Sequence, residues 1–228
     1  MDPVEDFYRN YYSLVFSTKG LSSYFSALTH KALEREFDKA RGGSAILEIG
    51  AGKGEHFQFV NQNFGSYTML DLFPQPTDFS EFQGADWVQA DICDKSLELP
   101  QYDRILSMCV FHHIEDPKTA IQNIKRFLKP GGTFSLFLPS DPGMLNRLNR
   151  KLFVTPAAKN NGFNEYELVN AREHRNHYWG LKTELEHQFK DYRISRKYYP
   201  FGIPAGNLSL FSIWQIKSDL PYSLCDVV

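Results

Sequence analysis

The stretch from Ile46 to Phe57, ILEIGAGKGEHF, places three glycines within five residues, directly after a short apolar run. Glycine adopts left-handed backbone conformations and lets another group approach the main chain closely, so this turn is typical of a ligand-binding corner between a strand and a helix. Two common patterns do not fit it. The G-x-G-x-x-G pattern requires a glycine where Glu55 stands, and the G-x-x-x-x-G-K-[ST] pattern requires Ser or Thr where Gly54 follows the lysine. The turn therefore indicates a different ligand, one that N–H groups at the start of the following helix can bind.

Short apolar segments alternate with helical segments on both sides of this turn. Five strands and then two late ones are predicted: SAILEIG, SYTMLDL, ADWVQADI, YDRILSMCV, TFSLFLPS, YRISRKYYPF and LSLFSIWQIK. The predicted helices are two between Val4 and Ala40, broken near Gly20 and ended at Arg41 to Gly43, then GEHFQFVNQNF, PKTAIQNIKRFLKPGG and HYWGLKTELEHQF. This alternation predicts an α/β fold with a doubly wound, mostly parallel sheet. The turn-rich GIPAGN between the last two strands predicts an antiparallel hairpin.

Length and charge limit the domain count and the partners. The 228 residues are enough for one substantial core, so we expect a single domain over 1–228. It would have a helical N-terminal cap at 1–43 and a long insertion at 140–177, after the fifth strand. The net charge of -2 does not suit a protein that neutralises many phosphates, so nucleic acid is not an expected partner.

Cysteine usage and hydropathy predict the compartment. Cys93, Cys109 and Cys225 lack the spacing of disulfide pairs or metal ligands, which is typical of a reducing compartment. The N-terminal sequence MDPVEDFYRNYY has no basic segment followed by an apolar one. No apolar run reaches the roughly 20 residues of a membrane-spanning helix. We therefore expect a cytoplasmic protein without integral membrane association.

An acidic residue in the first strand followed by G-x-G-x-G resembles motif I of the class I S-adenosylmethionine (SAM)-dependent methyltransferases. Asp71 ends the second strand, where the family's acid accepts hydrogen bonds from the ribose hydroxyls. Asp91, in QADICD, stands where the family's acid contacts the adenine amino group. YDRILSMCVFHHIEDP and LKPGGTFSLFLPS are similar to the family's next two strand regions, so the resemblance covers Ala45 to Pro139. It implies a Rossmann-like, seven-stranded sheet with an antiparallel last strand, and SAM as the methyl donor. The cofactor-binding residues that it implies are Glu48, Gly50, Ala51, Gly52, Gly54, Asp71, Leu72, Asp91, Ile92 and Met108.

Missing motifs exclude several methyltransferase subclasses. Methylation of exocyclic base amines usually uses [ND]-P-P-[YFW] after the fourth strand, where this chain has SMCVFHH. Cytosine C5 methylation needs a Pro-Cys nucleophile, and Cys109 is preceded by Met108. No cluster of carboxylates and histidines has metal-site spacing, so no metal is expected and a magnesium-dependent catechol type is not supported. The remaining subclass, which this chain resembles, is the small-molecule branch of the family. Its members carry HHI.DP-type sequence, and they also include quinone and phospholipid-headgroup enzymes.

His112 and His113 follow the fourth strand, where this architecture opens onto the donor methyl. A histidine there can act as a base or orient the acceptor, and His113 is the favoured catalytic residue. The alternative is that one of the pair simply caps the next helix or packs against it. Glu115 to Pro117 is expected to begin that helix.

Residues outside the motifs are candidates for binding the acceptor. Basic residues in the insertion predict an anion pocket for a phosphorylated or nucleotide-linked acceptor, with ordinary solvated helix faces as the alternative. Tyr8, Tyr11 and Tyr12 could close over SAM or simply dock the first helix, and docking is the favoured interpretation. The substrate-binding candidates are Tyr11, Arg147, His174, Arg175 and Tyr178.

The leading hypothesis is a SAM-dependent O- or N-methyltransferase acting on a small polar metabolite, including phosphorylated or sugar-like ones. A lipid-type acceptor, such as a quinone or phospholipid headgroup, is the alternative within the same chemistry. No strongly amphipathic basic helix for membrane docking supports it. A non-catalytic partner subunit with the same fold is the alternative from another class. The intact Glu48, glycines, Asp71 and Asp91 argue against that alternative.

Overall fold

The structure is a computed structural model that describes residues 1–16, 21–37 and 44–218. In these ranges seven strands form one sheet: β1 Ser44–Ile49, β2 Phe64–Asp71, β3 Ala85–Gln89, β4 Tyr102–Ser107, β5 Leu128–Pro139, β6 Arg193–Tyr199 and β7 Phe211–Lys217. The order across the sheet is β3-β2-β1-β4-β5-β7-β6. β1 to β5 pair in parallel, whereas β7 runs antiparallel to both β5 and β6. The predicted seven-stranded, mostly parallel sheet and its terminal hairpin are confirmed.

Helices cover both faces of this sheet and its carboxyl edge. Their bounds are α1 Pro3–Asp6, α2 Tyr12–Phe16, α3 Leu21–Arg35, α4 Pro117–Phe127, α5 Met144–Asn149, α6 Thr155–Asn160, α7 Tyr166–Glu173 and α8 Tyr178–Gln188. Two π-helical turns, Phe7–Tyr11 and Arg150–Val154, make α1–α2 and α5–α6 continuous. The predicted break near Gly20 and the predicted stop at Arg41 to Gly43 lie outside the described residues. Within the described ranges, no helix has the length and hydrophobicity needed to cross a membrane.

The central strands are apolar on both faces because both faces are covered. On β1, Leu47 and Ile49 pack in one core with side chains of α4 and α8, such as Ile121. Ile46 packs in the opposite core with Leu33 of α3. The short unbroken apolar run in the sequence is the result of this two-sided burial.

The helix predicted over GEHFQFVNQNF is wrong. Residues 52–56 form turns, Phe57–Phe59 is a single 3-10 turn, and β2 begins at Phe64. Because β2 runs parallel to β1, the segment between them must run back along the whole length of β1. The six residues of β1 make this a distance of about 20 Å. Residues 55–63 would span only about 14 Å as an α-helix. A more extended path is needed to place β2 beside β1.

The start of α4 is as predicted, but its end is not. Asp116 caps the helix by accepting hydrogen bonds from Thr119 N at 3.1 Å and Thr119 Oγ1 at 2.6 Å. α4 ends at Phe127, and β5 begins at Leu128. Pro130 and the two glycines after it therefore lie within the strand, not at the end of the helix.

The insertion, for which the sequence predicted no helix, contains α5, α6 and α7. Its helices share a small core with the N-terminal helices, in which Phe7 packs against Phe163 and Tyr166 with ring centroids 5.2 and 5.3 Å apart. Tyr11 packs against Phe163 as well, at 5.0 Å. We call α1, α2 and α5–α7, with the two π turns, the roof.

A buried ion pair fixes α3 to the sheet. Arg104 Nη2 of β4 lies 2.8 Å from Glu34 Oε1, and His56 Nε2 donates to the same oxygen at 3.1 Å. Burial alone would raise the pKa of Glu34, but the bond from His56 and the charge of Arg104 lower it to about 2. Because His56 follows the glycines, this network couples α3 to the glycine turn. Removing one partner of a buried pair typically costs about 3–5 kcal/mol.

Candidate active site

The glycine turn lies at the carboxyl end of β1. Gly50, Gly52 and Gly54 have φ angles of 69°, 59° and 76°, which other residues rarely adopt. A Cβ on Gly50 would lie 2.3 Å from Val110 Cγ2, and one on Gly54 would lie 2.4 Å from Phe82 Cζ. The turn therefore requires glycine for its packing as well as its conformation. The turn after β4, which carries Val110, lies directly against it.

The N–H groups of the glycine turn are bonded within the protein. Gly50 N donates to Leu70 O at 2.7 Å, and Gly52 N donates to Asp71 Oδ2 at 2.8 Å. Gly54 N donates to the carbonyl three residues earlier, also at 2.8 Å. Because no α-helix begins here, the expectation of free N–H groups at a helix start is wrong. The turn instead offers close approach to its backbone.

The surroundings of Asp71 fit an adenosine group. Its Oδ1 accepts from Phe73 N at 3.0 Å and its Oδ2 accepts from Gly52 N. Each carboxylate oxygen keeps a second lone pair, so a ribose diol can still donate to it. Leu72 and Phe73 are 61% and 66% exposed and provide an apolar surface beside the carboxylate. The two features suit the ribose and the base respectively.

The other residues expected around the adenine differ in their exposure and lie on different sides of the sheet. Asp91 is exposed after β3, and its Oδ1 accepts from Cys93 N at 2.8 Å. Ile92 is buried in the core on the α4 side, where its carbonyl accepts from Asn123 Nδ2 at 2.7 Å. Met108 is buried in the opposite core. Their cofactor roles stay predictions.

Glu48 lies beneath the glycine turn. It is 2% exposed and accepts a hydrogen bond from Tyr67 OH at 2.6 Å. Burial raises the pKa of Glu48 to about 7, against the opposing effects of His56 and Tyr67. The bond to Tyr67 joins β1 to β2, so this carboxyl group helps to position the turn.

Three histidines meet at the carboxyl edge of the sheet. His112 and His113 lie on the turn after β4, and His174 directly follows α7. Ring centroids are 3.9 Å apart for His112 and His113, 4.5 Å for His112 and His174, and 5.2 Å for His113 and His174. Burial lowers the pKa of His113 to about 4 and the pKa of His112 well below its usual value. Both rings are therefore neutral at neutral pH.

Hydrogen bonds determine the tautomer of two of the rings. His113 Nδ1 lies 3.0 Å from Glu173 O, and His174 Nδ1 lies 2.6 Å from Asp141 Oδ2. A carbonyl and a carboxylate can only accept, so Nδ1 carries a hydrogen in both rings, and Nε2 of the neutral His113 carries the lone pair. His112 Nδ1 is buried and has no hydrogen-bond partner within residues 1–16, 21–37 and 44–218.

The segment after α7 clamps the histidine turn. Asn176 N donates to His112 O at 3.1 Å, and Asn176 Nδ2 donates to Ile114 O at 2.6 Å. Arg175 forms an ion pair with Glu115 at the surface. The predicted residues His174 and Arg175 thus do reach the turn of His112 and His113, through a clamp that the sequence did not reveal.

Asp141 is the site residue that the sequence analysis missed. It follows β5, and its two oxygens accept from His174 Nδ1 and from Arg150 Nη1, the latter at 2.7 Å. Although burial acts in the opposite direction, these two partners lower the pKa of Asp141. The available signal was its position after a parallel strand, at the edge where this architecture binds ligands.

The remaining substrate-binding candidates lie in different parts of the structure. Tyr11 packs within the roof, and Arg147 is exposed on α5. Tyr178 is buried in the core and lines a cavity of about 130 Å³ together with Trp179 and Tyr198. Their roles toward an acceptor stay predictions.

Comparison with known proteins identifies the domain type. Residues 47–136 match the family described as a methyltransferase domain. The chain is 31% identical over 99 residues to a probable phthiotriol/phenolphthiotriol dimycocerosates methyltransferase 2 of Mycobacterium ulcerans, a match that covers 41% of this chain and 38% of that protein. It is 26% identical over 111 residues to an uncharacterized methyltransferase of Mycobacterium bovis, covering 47% of this chain and 56% of that one. The matches thus span about two fifths and just over half of these relatives.

A solved structure matches the whole architecture. The N-methyltransferase NodS from Bradyrhizobium japonicum WM9, in complex with S-adenosyl-L-homocysteine (SAH), aligns with a TM-score of 0.63. The alignment covers 96% of this chain and 99% of that chain at 16% sequence identity, which shows the shared fold. The fold, the glycine turn and the family match agree. Residues 47–136 thus match a methyltransferase domain, and the sheet around them has the class I, SAM-dependent methyltransferase fold.

Proposed function

We propose that this protein transfers a methyl group from SAM to an oxygen or nitrogen atom of a small polar acceptor bound beside the three histidines. When bound, SAM supplies a methyl group on a positively charged sulfur. The observation that carries the proposal is the contact of Val110 with Gly50. Val110 and the histidines His112 and His113 share one short turn, so the cofactor turn and the histidines are direct neighbours.

The cofactor would be held by residues at the ends of β1, β2 and β3. The close approach allowed by Gly52, the carboxylate of Asp71 and the exposed side chain of Leu72 support this assignment. NodS, which shares the fold, is described in complex with SAH. Methyl transfer then depends mainly on holding the acceptor atom in line with the methyl carbon and on excluding water.

The histidine turn would activate the acceptor. His113 is neutral, and its Nε2 carries a lone pair because Nδ1 donates to Glu173 O. A neutral imidazole in this state can take a proton from a hydroxyl or orient it by accepting a hydrogen bond. Arg175, at the same edge, would attract a phosphorylated or sugar-like acceptor. The roof would shield the reaction from water.

The test is SAH formation from SAM with a panel of phosphorylated and sugar-like acceptors. His113→Ala should lower kcat by roughly 10²–10⁴-fold and leave the affinity for SAH nearly unchanged. Arg175→Ala should mainly raise KM for the acceptor, as expected when uniform binding is lost. His187→Ala, an exposed histidine of α8, is the matched control and should change neither constant. A His113→Ala enzyme with normal kcat across pH 6 to 9 would contradict the assigned role.

A lipid-type acceptor is the second candidate. The sequence alone indicated no basic helix for membrane docking, but one surface of the structure has that character. The continuous helix from α5 into α6 carries exposed Arg147 and Lys151 and has no acidic residue between 142 and 164. Four large apolar side chains are also exposed on it: Met144, Leu148, Leu152 and Phe153. This combination is typical of a helix that lies on an anionic lipid surface. The Mycobacterium ulcerans relative is named for a lipid-related substrate. Activity with dispersed quinones or phospholipids, and none with the polar panel, would select this candidate.

A further inference from the structure

We propose that His112, His113 and His174 form a binding site for one divalent transition-metal ion of the Zn²⁺ class, with an open position that the methyl acceptor occupies. This inference deepens the proposed function and rests on it for the role of the acceptor. The metal site itself can be tested without any acceptor. Spacing along the sequence predicted no metal, because His174 is far from the other two histidines in the chain.

The three rings are close enough for one ion. One nitrogen of each ring lies within 4.8 Å of the corresponding atoms of the other two. A point therefore exists within about 2.8 Å of all three nitrogens, compared with about 2.0–2.1 Å for a zinc–histidine bond. Each ring would need to move by about 0.7 Å at most. Three histidines with a fourth position open to water or substrate is a known arrangement of catalytic zinc sites.

Two of the rings have the hydrogen bonds that metal-binding histidines usually have. A ligating histidine normally donates its other ring N–H to a carboxylate or a backbone carbonyl, which fixes the tautomer and the ring orientation. His174 donates Nδ1–H to Asp141, and His113 donates Nδ1–H to the carbonyl of Glu173. Nε2 of both rings is thereby left as the ligand atom. Asp141 is itself fixed by Arg150 at 2.7 Å.

The third ring gives an independent observation. His112 is 5% exposed, and its Nδ1 is buried with no hydrogen-bond partner among the described residues. A buried polar atom without a partner is destabilising, because it has lost its hydrogen bonds to water and gained none in the protein. A metal ion bound at Nδ1 would give this nitrogen a partner. Packing alone gives no reason for a polar nitrogen to lie there, since an apolar side chain of similar size would avoid the cost.

The surroundings hold the ligands in place before any ion binds. Asn176 ties the segment of His174 to the carbonyls of His112 and Ile114. The negative charge of Asp141 adjoins His174, and Glu173 Oε2 lies 3.9 Å from His113 Nδ1. Two nearby carboxylates favour a cation bound by three neutral ligands.

The ion would activate a hydroxyl acceptor. A bound metal stabilises the oxyanion, so the hydroxyl loses its proton to water more readily. An oxygen electron pair then forms the bond to the methyl carbon as the carbon–sulfur bond breaks, and the sulfur keeps that bonding pair. One proton is released for each methyl group transferred. In this arrangement His113 is a ligand of the metal ion. The ion, instead of His113 Nε2, then activates the acceptor hydroxyl.

The experiment is a titration of chelator-treated, full-length protein with Co²⁺, a spectroscopic substitute for Zn²⁺. We expect one equivalent to bind and to give the visible absorption of a four-coordinate ion, which Zn²⁺ then displaces. His174→Ala should abolish the signal. Asp141→Asn should weaken binding by roughly 10–100-fold, because it removes the carboxylate that orients His174. His177→Ala, an exposed histidine three residues from His174, is the matched control and should bind as the wild type does.

Thermal melting and SAH affinity monitor folding in each variant. The proposal is refuted if the wild type shows no saturable binding, if binding survives His174→Ala in a folded protein, or if His177→Ala removes it equally. Failure of metal binding alongside intact methyl transfer would remove this inference and leave the proposed function standing. Metal binding without methyl transfer to any acceptor would leave the metal site standing and refute the proposed function.

Discussion

The contact between Gly50 and Val110 allows the cost of a single methyl group to be worked out from the structure. In Gly50→Ala, alanine at φ 69° costs about 1–2 kcal/mol for its left-handed backbone. The new Cβ would also lie 2.3 Å from Val110 Cγ2, and such overpacking costs about 1–3 kcal/mol more. We therefore expect the free energy of unfolding to fall by about 2–5 kcal/mol, measured by urea denaturation.

Two further variants separate the backbone cost from the packing cost. Gly202 has a φ of 77°, and a Cβ there would meet nothing within 4 Å, so Gly202→Ala should show only the backbone cost of about 1–2 kcal/mol. Val110→Ala removes the two methyl groups that clash and leaves Val110 Cβ 3.2 Å from the new atom. The double variant should therefore be less destabilised than the sum of the singles, by about 1–3 kcal/mol.

The same variants test the link between the turn and the histidines. If Val110 is pushed away from Gly50, the turn that carries His112 and His113 must shift with it. SAH affinity, measured by calorimetry, should fall in Gly50→Ala and recover in part in the double variant. The reasoning is refuted if Gly50→Ala is no more destabilising than Gly202→Ala, or if the effects of Gly50→Ala and Val110→Ala simply add.

Three other predictions concern the cofactor, the pH dependence and the exposed apolar surface. Asp71→Asn should weaken SAH binding by about 1.5–3 kcal/mol, because charge-assisted bonds to the ribose are lost; unchanged affinity by calorimetry would argue against the assigned role. The pKa of Glu48, about 7, lies above its usual 4.5, so the folded state binds an extra proton between these values and stability should fall as the pH rises through this window. Glu48→Gln should flatten that profile by about 3 kcal/mol at most, as seen by urea unfolding at pH 4 and pH 8. Leu152→Ser should weaken co-sedimentation with anionic vesicles if that surface docks on lipid, whereas Leu168→Ser, the same change at another exposed leucine on α7, should not.

The strands were the most predictable part of the fold. Burial on both faces selects continuous apolar runs, so the runs around Leu47 and Ile105 indicated central strands without any tertiary information. The spacing of the three glycines by itself indicated a tight turn, because left-handed angles and close packing both require glycine there. The order of these elements along the chain was enough to predict a parallel sheet with a terminal hairpin.

The helix predicted after the glycine turn failed for a reason that lies outside its own residues. Periodicity describes the preference of a segment, whereas the distance from the end of β1 to the start of β2 sets how far each residue must reach. The helices of the insertion, α5 to α7, were not predicted either. Their apolar positions have partners in the N-terminal helices, as in the contact of Phe7 with Phe163, and a periodicity search along one segment does not detect such partners.

By itself, the sequence predicted the type of fold, the glycine turn after β1 and a candidate site on the turn after β4. Only the tertiary structure brought His174 beside His112 and His113 and oriented it with Asp141. It also left His112 Nδ1 without a partner in the described part of the chain. The physical reason is the difference between the two kinds of information. The glycine turn is a backbone shape encoded within a few consecutive residues. The histidine cluster depends instead on where β5, α7 and the turn after β4 end in space, and that is set by the packing of the whole sheet and roof.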